Sequence, residues 1–300
     1  MRLRFVALFV GVLIVSTAAL LIRWALGAGA GPLAVAAGRL TLAAAVVVPM
    51  ALARRRTELA RLEGRDWAIA GVAGVFLAAH FATWITSLEY TSVASSVALV
   101  TTNPIWVGLL SWWLLGEPPT RRTALGIGLA IAGSVLIIAA DLSAAPGAAG
   151  ADPMRGNGLA LLGALAISGY FLVGRSLNRR LSLLAYVAIV YGASALAMNL
   201  IAIAGGQPIW SVPAAAWLPI ALMALGPQLA GHTIINASLR HLSATFVALA
   251  ILGEPVGSAI LAWLLLGETF SALQLAGFGT LLAGIVVAAA GERRSASVQS

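Results

Sequence analysis

This sequence predicts an all-α integral membrane protein, ten transmembrane helices arranged as two inverted five-helix repeats. Three observations carry that expectation. Of 300 residues, 61% are hydrophobic and 9% charged, with a mean hydropathy of +0.99, whereas a soluble domain carries roughly a quarter charged residues. The apolar residues fall into ten runs of about membrane-spanning length. A phrase near the end of the fourth run returns near the end of the ninth, with the surrounding arginines redistributed.

A helix needs about 20 apolar residues to cross the hydrocarbon. Candidate spans lie near 4–26, 32–53, 67–88, 92–115, 122–140, 157–175, 182–204, 215–238, 243–266 and 272–291. The first could pass for a signal peptide, but its apolar run is long and nine more follow, so it reads as a retained helix. The breaks carry turn chemistry: "GAGAGP", "RRRTELARLEGRD", "GEPPTRR", "GGQPIWSVP" and "GETFS". The longest connection, "DLSAAPGAAGADPMRGN", lies in the middle. This divides the chain into a first repeat at 1–140, a linker at 141–155, a second repeat at 156–291 and a tail at 292–300.

Sliding the second half back by 151 positions brings the phrases into register without a gap. Pro104 meets Pro255, Trp112 meets Trp263, and Gly116-Glu117 meets Gly267-Glu268. Gly126, Gly128 and Gly133 meet Gly277, Gly279 and Gly284. Between 84 and 139, 16 of 56 aligned positions are identical. With five spans per repeat, the second copy must enter the membrane from the opposite side. The charges agree. Loop 54–66 holds five arginines and its mate near 205–217 none, while loop 27–31 has none and its mate near 176–181 has Arg179 and Arg180. Alternating the loops places 15 arginines on the side of the N-terminus and one, Arg155, on the other, which under the positive-inside rule makes both termini cytoplasmic. Inverted repeats of this kind serve alternating access in transporters, with substrate held between the halves.

The two stretches "TTNPIWVGLLSWWLLGEPPT" and "ALAILGEPVGSAILAWLLLGETFS" resemble the drug/metabolite transporter superfamily, EamA branch, over nearly the whole chain. Within it the chain looks most like YddG-type bacterial exporters of aromatic and other neutral amino acids. The resemblance implies a central cavity lined mainly by spans 1, 3, 4, 6, 8 and 9, with spans 5 and 10 packed outside. It also implies a bacterial inner-membrane location.

Several residues are candidates for substrate binding. Pro104 and Pro255 sit mid-span, where each removes a backbone hydrogen bond; they either mark hinges at the site or shape packing. In the fourth span Ser92, Ser96, Leu99, Asn103 and Trp106 share one helical face. That face either lines a cavity or bonds neighbouring helices. Glu254, the repeat mate of Asn103, is a carboxylate deep in a span and must be paired, protonated or wet. It could carry a proton, meet a substrate ammonium, or brace a broken helix. His80 and Trp84 lie on one face of the third span, with Phe76, Thr83 and Ser87. Trp84, near the span's end, also suits an interface anchor. Gln228, His232 and Asn236 fall at i, i+4, i+8 just after Gly226-Pro227, a helix break and candidate hinge. Tyr170 belongs to the same expected space, and Phe171 to it or to ordinary packing. Arg39 could neutralise a carboxylate, cap a helix, or pair with Glu254 or Glu89. Arg23 and Trp24 close the first span as anchors. Glu117 and Glu268 read as caps of the helices that follow them, and the paired glycines at 126, 133, 277 and 284 as sites of close helix packing.

The sequence excludes other chemistry. Cysteine and lysine are both absent, so there is no thiolate metal site, disulfide, P-loop lysine or Schiff base. No cofactor or metal is called for. No metalloprotease His-Glu-x-x-His, serine-hydrolase elbow or aspartate pair within spans supports an intramembrane enzyme. The formal charge of +8 reflects loop arginines that set topology, not nucleic-acid binding. The polar stripes are too discontinuous for a passive channel. The expected function is therefore secondary transport, with small amphipathic metabolites such as amino acids and the lipid bilayer as partners. Efflux of lipophilic cations is the alternative, resting on Glu254. The oligomeric state stays open, a monomer sufficing.

Overall fold

Ten apolar stretches become helices whose ends are set by local chemistry. The computed structural model describes residues 2–298, apart from 117, 146, 148 and 239–252. The first span is two helices, α1 (Arg2–Ser16) and α2 (Ala18–Gly27), and the second and third are α3 (Pro32–Arg54) and α4 (Gly64–Tyr90). The fourth is broken into α5 (Val93–Val100) and α6 (Asn103–Leu115). Then come α7 (Arg121–Ser143), α8 (Pro153–Arg180) and α9 (Leu183–Ala204). The eighth span joins α10 (Trp217–Met223), a π-helical segment Ala224–Gly231 and α11 (His232–Ser238). The chain ends on α12 (Gly253–Leu266) and α13 (Ala272–Val298). Among the described residues, eight stretches are long and apolar enough to cross a membrane, and Gly253–Leu266 and Ala272–Ala288 are shorter apolar helices.

The turn residues start these helices. Ser92, Thr120, Asp152 and Ser182 each accept a backbone N–H three residues on, satisfying a donor that a helix N-terminus leaves open. Ser271 and Gln274 bond reciprocally ahead of α13, as do Glu63 and Asp66 ahead of α4. The repeated Gly-Glu has a specific cause. Gly116 and Gly267 both take positive φ, 68° and 70°, the left-handed conformation that ends a helix and favours glycine.

Glu268 corrects an expectation. It does not cap the following helix, but accepts from the backbone N–H of Val93 at 2.9 Å and of Ala94 at 3.4 Å. It thus caps α5, in the other repeat. Glu117 lies outside the described residues.

The packing repeats with the sequence. The third span packs on the sixth and seventh, as the eighth packs on the first and second. The fourth meets the sixth as the ninth meets the first. The fifth and tenth pair with each other at the edge of the bundle through their glycines. A Cβ on Gly126 would meet Gly284 and Ala288, and one on Gly133 would meet Gly277 and Leu281. Contacts that rise along one helix as they fall along the other require antiparallel helices, so these repeat mates run in opposite directions. The loops sort accordingly. Gln207 accepts from Leu33 N–H at one end of the bundle, and Arg180 pairs with Asp66 at the other.

Candidate functional site

Between the two halves lies a cavity of about 220 Å³, with Arg39, His80, Phe81, Trp84, Thr101 and Asn103 on its first-half walls. Tyr170, Phe171, Tyr191, Gln228, His232 and Glu254 face them from the second half.

Helical spacing on α4 puts His80, Phe81 and Trp84 on one wall. His80 Nδ1 lies 2.9 Å from the carbonyl oxygen of Gly163 on α8. A carbonyl can only accept, so Nδ1 carries the proton. The imidazole stacks on Trp84 at 5.7 Å between centroids, with 19° between planes. Trp84 is only 4% exposed, so it is a cavity wall and not an interface anchor. Its Nε1–H is buried with no hydrogen-bond partner among the described residues.

Arg39 comes to the site from α3 and is 1% exposed. Its Nε donates to Gln228 Oε1 at 2.9 Å. Its guanidinium carbon stands 4.2 Å from the Phe81 ring centroid and 6.0 Å from that of Trp84, within cation–π range. Its Nη1 has no hydrogen-bond partner among the described residues. The salt bridges among those residues are Arg23–Glu268 and Arg180–Asp66. Arg39 is thus held by a neutral amide and an aromatic face while sharing the cavity with Glu254. Glu89 is exposed and does not pair with it.

Helix interruptions supply the remaining polar groups. In the eighth span, Pro227 offers no N–H to the ladder, and Ala224–Gly231 widens into a π-helix, a feature frequent at functional sites. Gln228 lies inside this segment and His232 directly follows it. The side chain of Asn236 lies outside the described residues. The fourth span does not kink at Pro104; it stops at Val100 and restarts at Asn103. Pro104 then stands in the first turn of α6, where its missing N–H costs nothing. Thr101 and Asn103 line the cavity at this break, and the Asn103 carbonyl accepts from Ser168 Oγ at 3.0 Å. Glu254 and Pro255 occupy the first turn of α12.

Seven of the nine candidate residues therefore meet in one cavity: His80, Trp84, Asn103, Tyr170, Gln228, His232 and Glu254. Two do not. Ser96 is fully buried and shares a 2.6 Å hydrogen bond with Ser87. Trp106 donates from Nε1 to Thr102 Oγ1 at 3.2 Å. Sequence reasoning missed Phe81, Thr101 and Tyr191. Of these, Phe81 had a signal, since it adjoins His80 and lies three residues before Trp84.

A larger hollow of about 550 Å³ lies between α5, α12 and α13, walled by Val256, Ile260, Trp263, Phe270 and Phe278. Its walls carry almost no polar chemistry and include outward-facing residues, so it reads as a lipid-facing groove.

A polar network ties one end of the bundle. Arg23 donates to the Thr91 carbonyl at 2.9 Å and pairs with Glu268 at 3.6 Å. Thr91 Oγ1 donates to Asn157 at 2.8 Å, and Asn157 donates to Asp141 at 2.6 Å. Asp141 also accepts from Ser95 and Gln274. Elements of both halves are joined here. Arg23 is thus a bridging residue, while Trp24 beside it is 48% exposed.

Comparison with known proteins gives the family and the fold. A 67-residue stretch, 22% of this chain, is 31% identical to a probable 4-amino-4-deoxy-L-arabinose-phosphoundecaprenol flippase subunit ArnE of Klebsiella pneumoniae. It spans 60% of that relative's length. A crystal structure of a protein with no stated function shares the fold at TM-score 0.63 and 22% identity, over 98% of this chain and 99% of that one. The model of the EamA-like transporter family matches twice, at residues 3–139 and 154–290, two segments that start 151 residues apart. The chain belongs to the EamA-like transporter family.

Proposed function

We propose that the protein exports small amphipathic metabolites, foremost aromatic and other neutral amino acids, by alternating access through the central cavity. One observation carries this reading: seven polar and aromatic candidates, scattered over both repeats, converge on a single cavity between inverted halves. Its volume is below the roughly 300–1,000 Å³ of pockets that enclose drug-sized ligands, and suits a molecule of amino-acid size. Phe81, Trp84 and Tyr170 offer an apolar and aromatic surface, Glu254 a partner for an ammonium group, and Asn103 and Gln228 neutral hydrogen bonds. Pro104, Gly226-Pro227 and Pro255 are the hinge residues of this reading. Both termini face the cytoplasm of a bacterial inner membrane.

Efflux of lipophilic cations draws on Glu254, but the buried cation Arg39 in the same cavity opposes it. The short match to the flippase subunit favours a second reading, passage of a lipid-linked headgroup, and the small cavity argues against it. Counterflow decides. Liposomes preloaded with unlabelled L-phenylalanine should accumulate the labelled amino acid, undiminished by excess tetraphenylphosphonium. Absence of counterflow, in folded protein that binds the cation, would overturn the amino-acid reading.

A further inference from the structure

Arg39 is an unusual group to find in this cavity wall. It sits in the middle of an apolar helix, 1% exposed, with no acid in salt-bridge range among the described residues. A buried guanidinium needs counter-charge or hydrogen bonds for all of its donors. Gln228 satisfies Nε and Phe81 covers one face, but Nη1 is left without a partner. A second, separate donor is in the same condition. Trp84 Nε1–H is buried and unpartnered, on a ring 6.0 Å from the Arg39 guanidinium carbon. Two unsatisfied N–H donors on neighbouring walls of one cavity form half of a hydrogen-bonding set. The missing half is an acceptor, and a planar guanidinium matches an oxyanion best.

We infer that Arg39, with Trp84 beside it, forms an oxyanion subsite that anchors the carboxylate of the transported molecule. Gln228 is a positioning residue: its Oε1 fixes Nε, so the guanidinium presents its remaining edge. This rests on the proposed transport through the cavity and adds the chemical rule for admission. A ligand must carry an anionic group at one end and can carry an ammonium toward Glu254. Amines of the same shape leave the two donors unpaired, and amides offer them only a neutral carbonyl oxygen, so both bind more weakly than the carboxylate.

The test is binding to purified protein in nanodiscs, read by displacement of labelled L-phenylalanine. L-phenylalanine should bind about 10- to 100-fold more tightly than L-phenylalaninamide, the range expected for hydrogen bonds to a charged group. Arg39→Gln should abolish the preference, so that the amino acid and its amide bind with the same affinity. Arg39→Lys should restore part of the preference. Gln228→Ala should shrink the preference without abolishing amide binding. Thermal unfolding of each variant reports whether it is folded. Equal binding of acid and amide to the wild type overturns the subsite while leaving the cavity reading intact. So does an undiminished acid preference in a folded Arg39→Gln variant. Direct calorimetric binding of a short-chain isoprenyl phosphate to the same nanodiscs, where L-phenylalanine does not bind, would replace the carboxylate with a lipid phosphate and overturn the proposal. If neither the amino acid nor its amide binds the wild type and counterflow is absent, the transport reading itself falls.

Discussion

Gly126 and Gly284 face each other reciprocally across the contact between α7 and α13. A Cβ on Gly126 would stand 2.6 Å from the Gly284 carbonyl oxygen, and one on Gly284 would stand 2.7 Å from the Gly126 carbonyl oxygen. Gly284 is the repeat mate of Gly133, which in turn meets Gly277, the mate of Gly126. One device, written once per repeat, thus closes on its own inverted copy.

Gly126→Ala should therefore lower stability in detergent by about 1–3 kcal/mol, as overpacking against backbone does. Gly128 has open space where a Cβ would go, so Gly128→Ala should be neutral or slightly stabilising. Thermal unfolding of the two variants side by side checks this. Equal effects would contradict the packing account.

The fold was legible because it repeats. Matched glycines, prolines and Gly-Glu pairs, together with swapped arginines, gave both the number of copies and their inversion. The site was legible where helices stay regular, as for His80 and Trp84 on α4. It failed where a helix breaks. The stripe Ser92, Ser96, Asn103, Trp106 assumes one continuous helix, but the fourth span stops at Val100 and restarts at Asn103. Ser96 and Trp106 therefore point elsewhere, and Thr101 takes a place in the cavity. Arg39 could not be placed because its neighbours, Gln228 and Phe81, come from distant spans, and Tyr191 carried no local signal at all.

Glu268 holds the N-terminus of α5 across the repeat boundary. Replacing it with Ala removes an acceptor for two backbone donors and the partner of Arg23. The loss should be about 0.5–2 kcal/mol, in the range of helix caps. Glu268→Gln keeps one acceptor oxygen and should lose less. A Glu268→Ala midpoint equal to that of the wild type would show that the cap contributes nothing.

The chain has no cysteine, which makes its topology directly measurable. Arg56 and Trp210 are both exposed, in loops assigned to opposite faces. In right-side-out vesicles an impermeant maleimide should label Trp210→Cys at once and Arg56→Cys only after permeabilisation. The reverse pattern would invert the assigned orientation.

Glu58 accepts from Ser182 N–H at 2.6 Å and from Ser182 Oγ at 2.7 Å, joining loop 54–66 to the start of α9. Desolvation pushes its carboxyl upward, but the two Ser182 hydrogen bonds and nearby Arg55 outweigh it and hold the pKa below the ordinary carboxylate value. A lowered folded-state pKa contributes stability that is present above the unfolded value and lost as pH falls through the folded one. The stability difference between wild type and Glu58→Gln should therefore be visible at pH 7 and fade once pH falls below about 4, the ordinary range for Glu. A difference independent of pH would exclude the charge as its source.

The central claim is that substrate sits in the cavity between the halves, and Thr101, at the break in the fourth span, lines it. In this cysteine-free background, Thr101→Cys gives a single reporter whose rate of maleimide modification can be followed in liposomes that retain counterflow. L-phenylalanine should slow that rate in proportion to its occupancy, and should leave the rate at Trp210→Cys unchanged. Modification of Thr101→Cys at the same rate with and without saturating L-phenylalanine, in protein still active in counterflow, would place the substrate elsewhere and contradict the account.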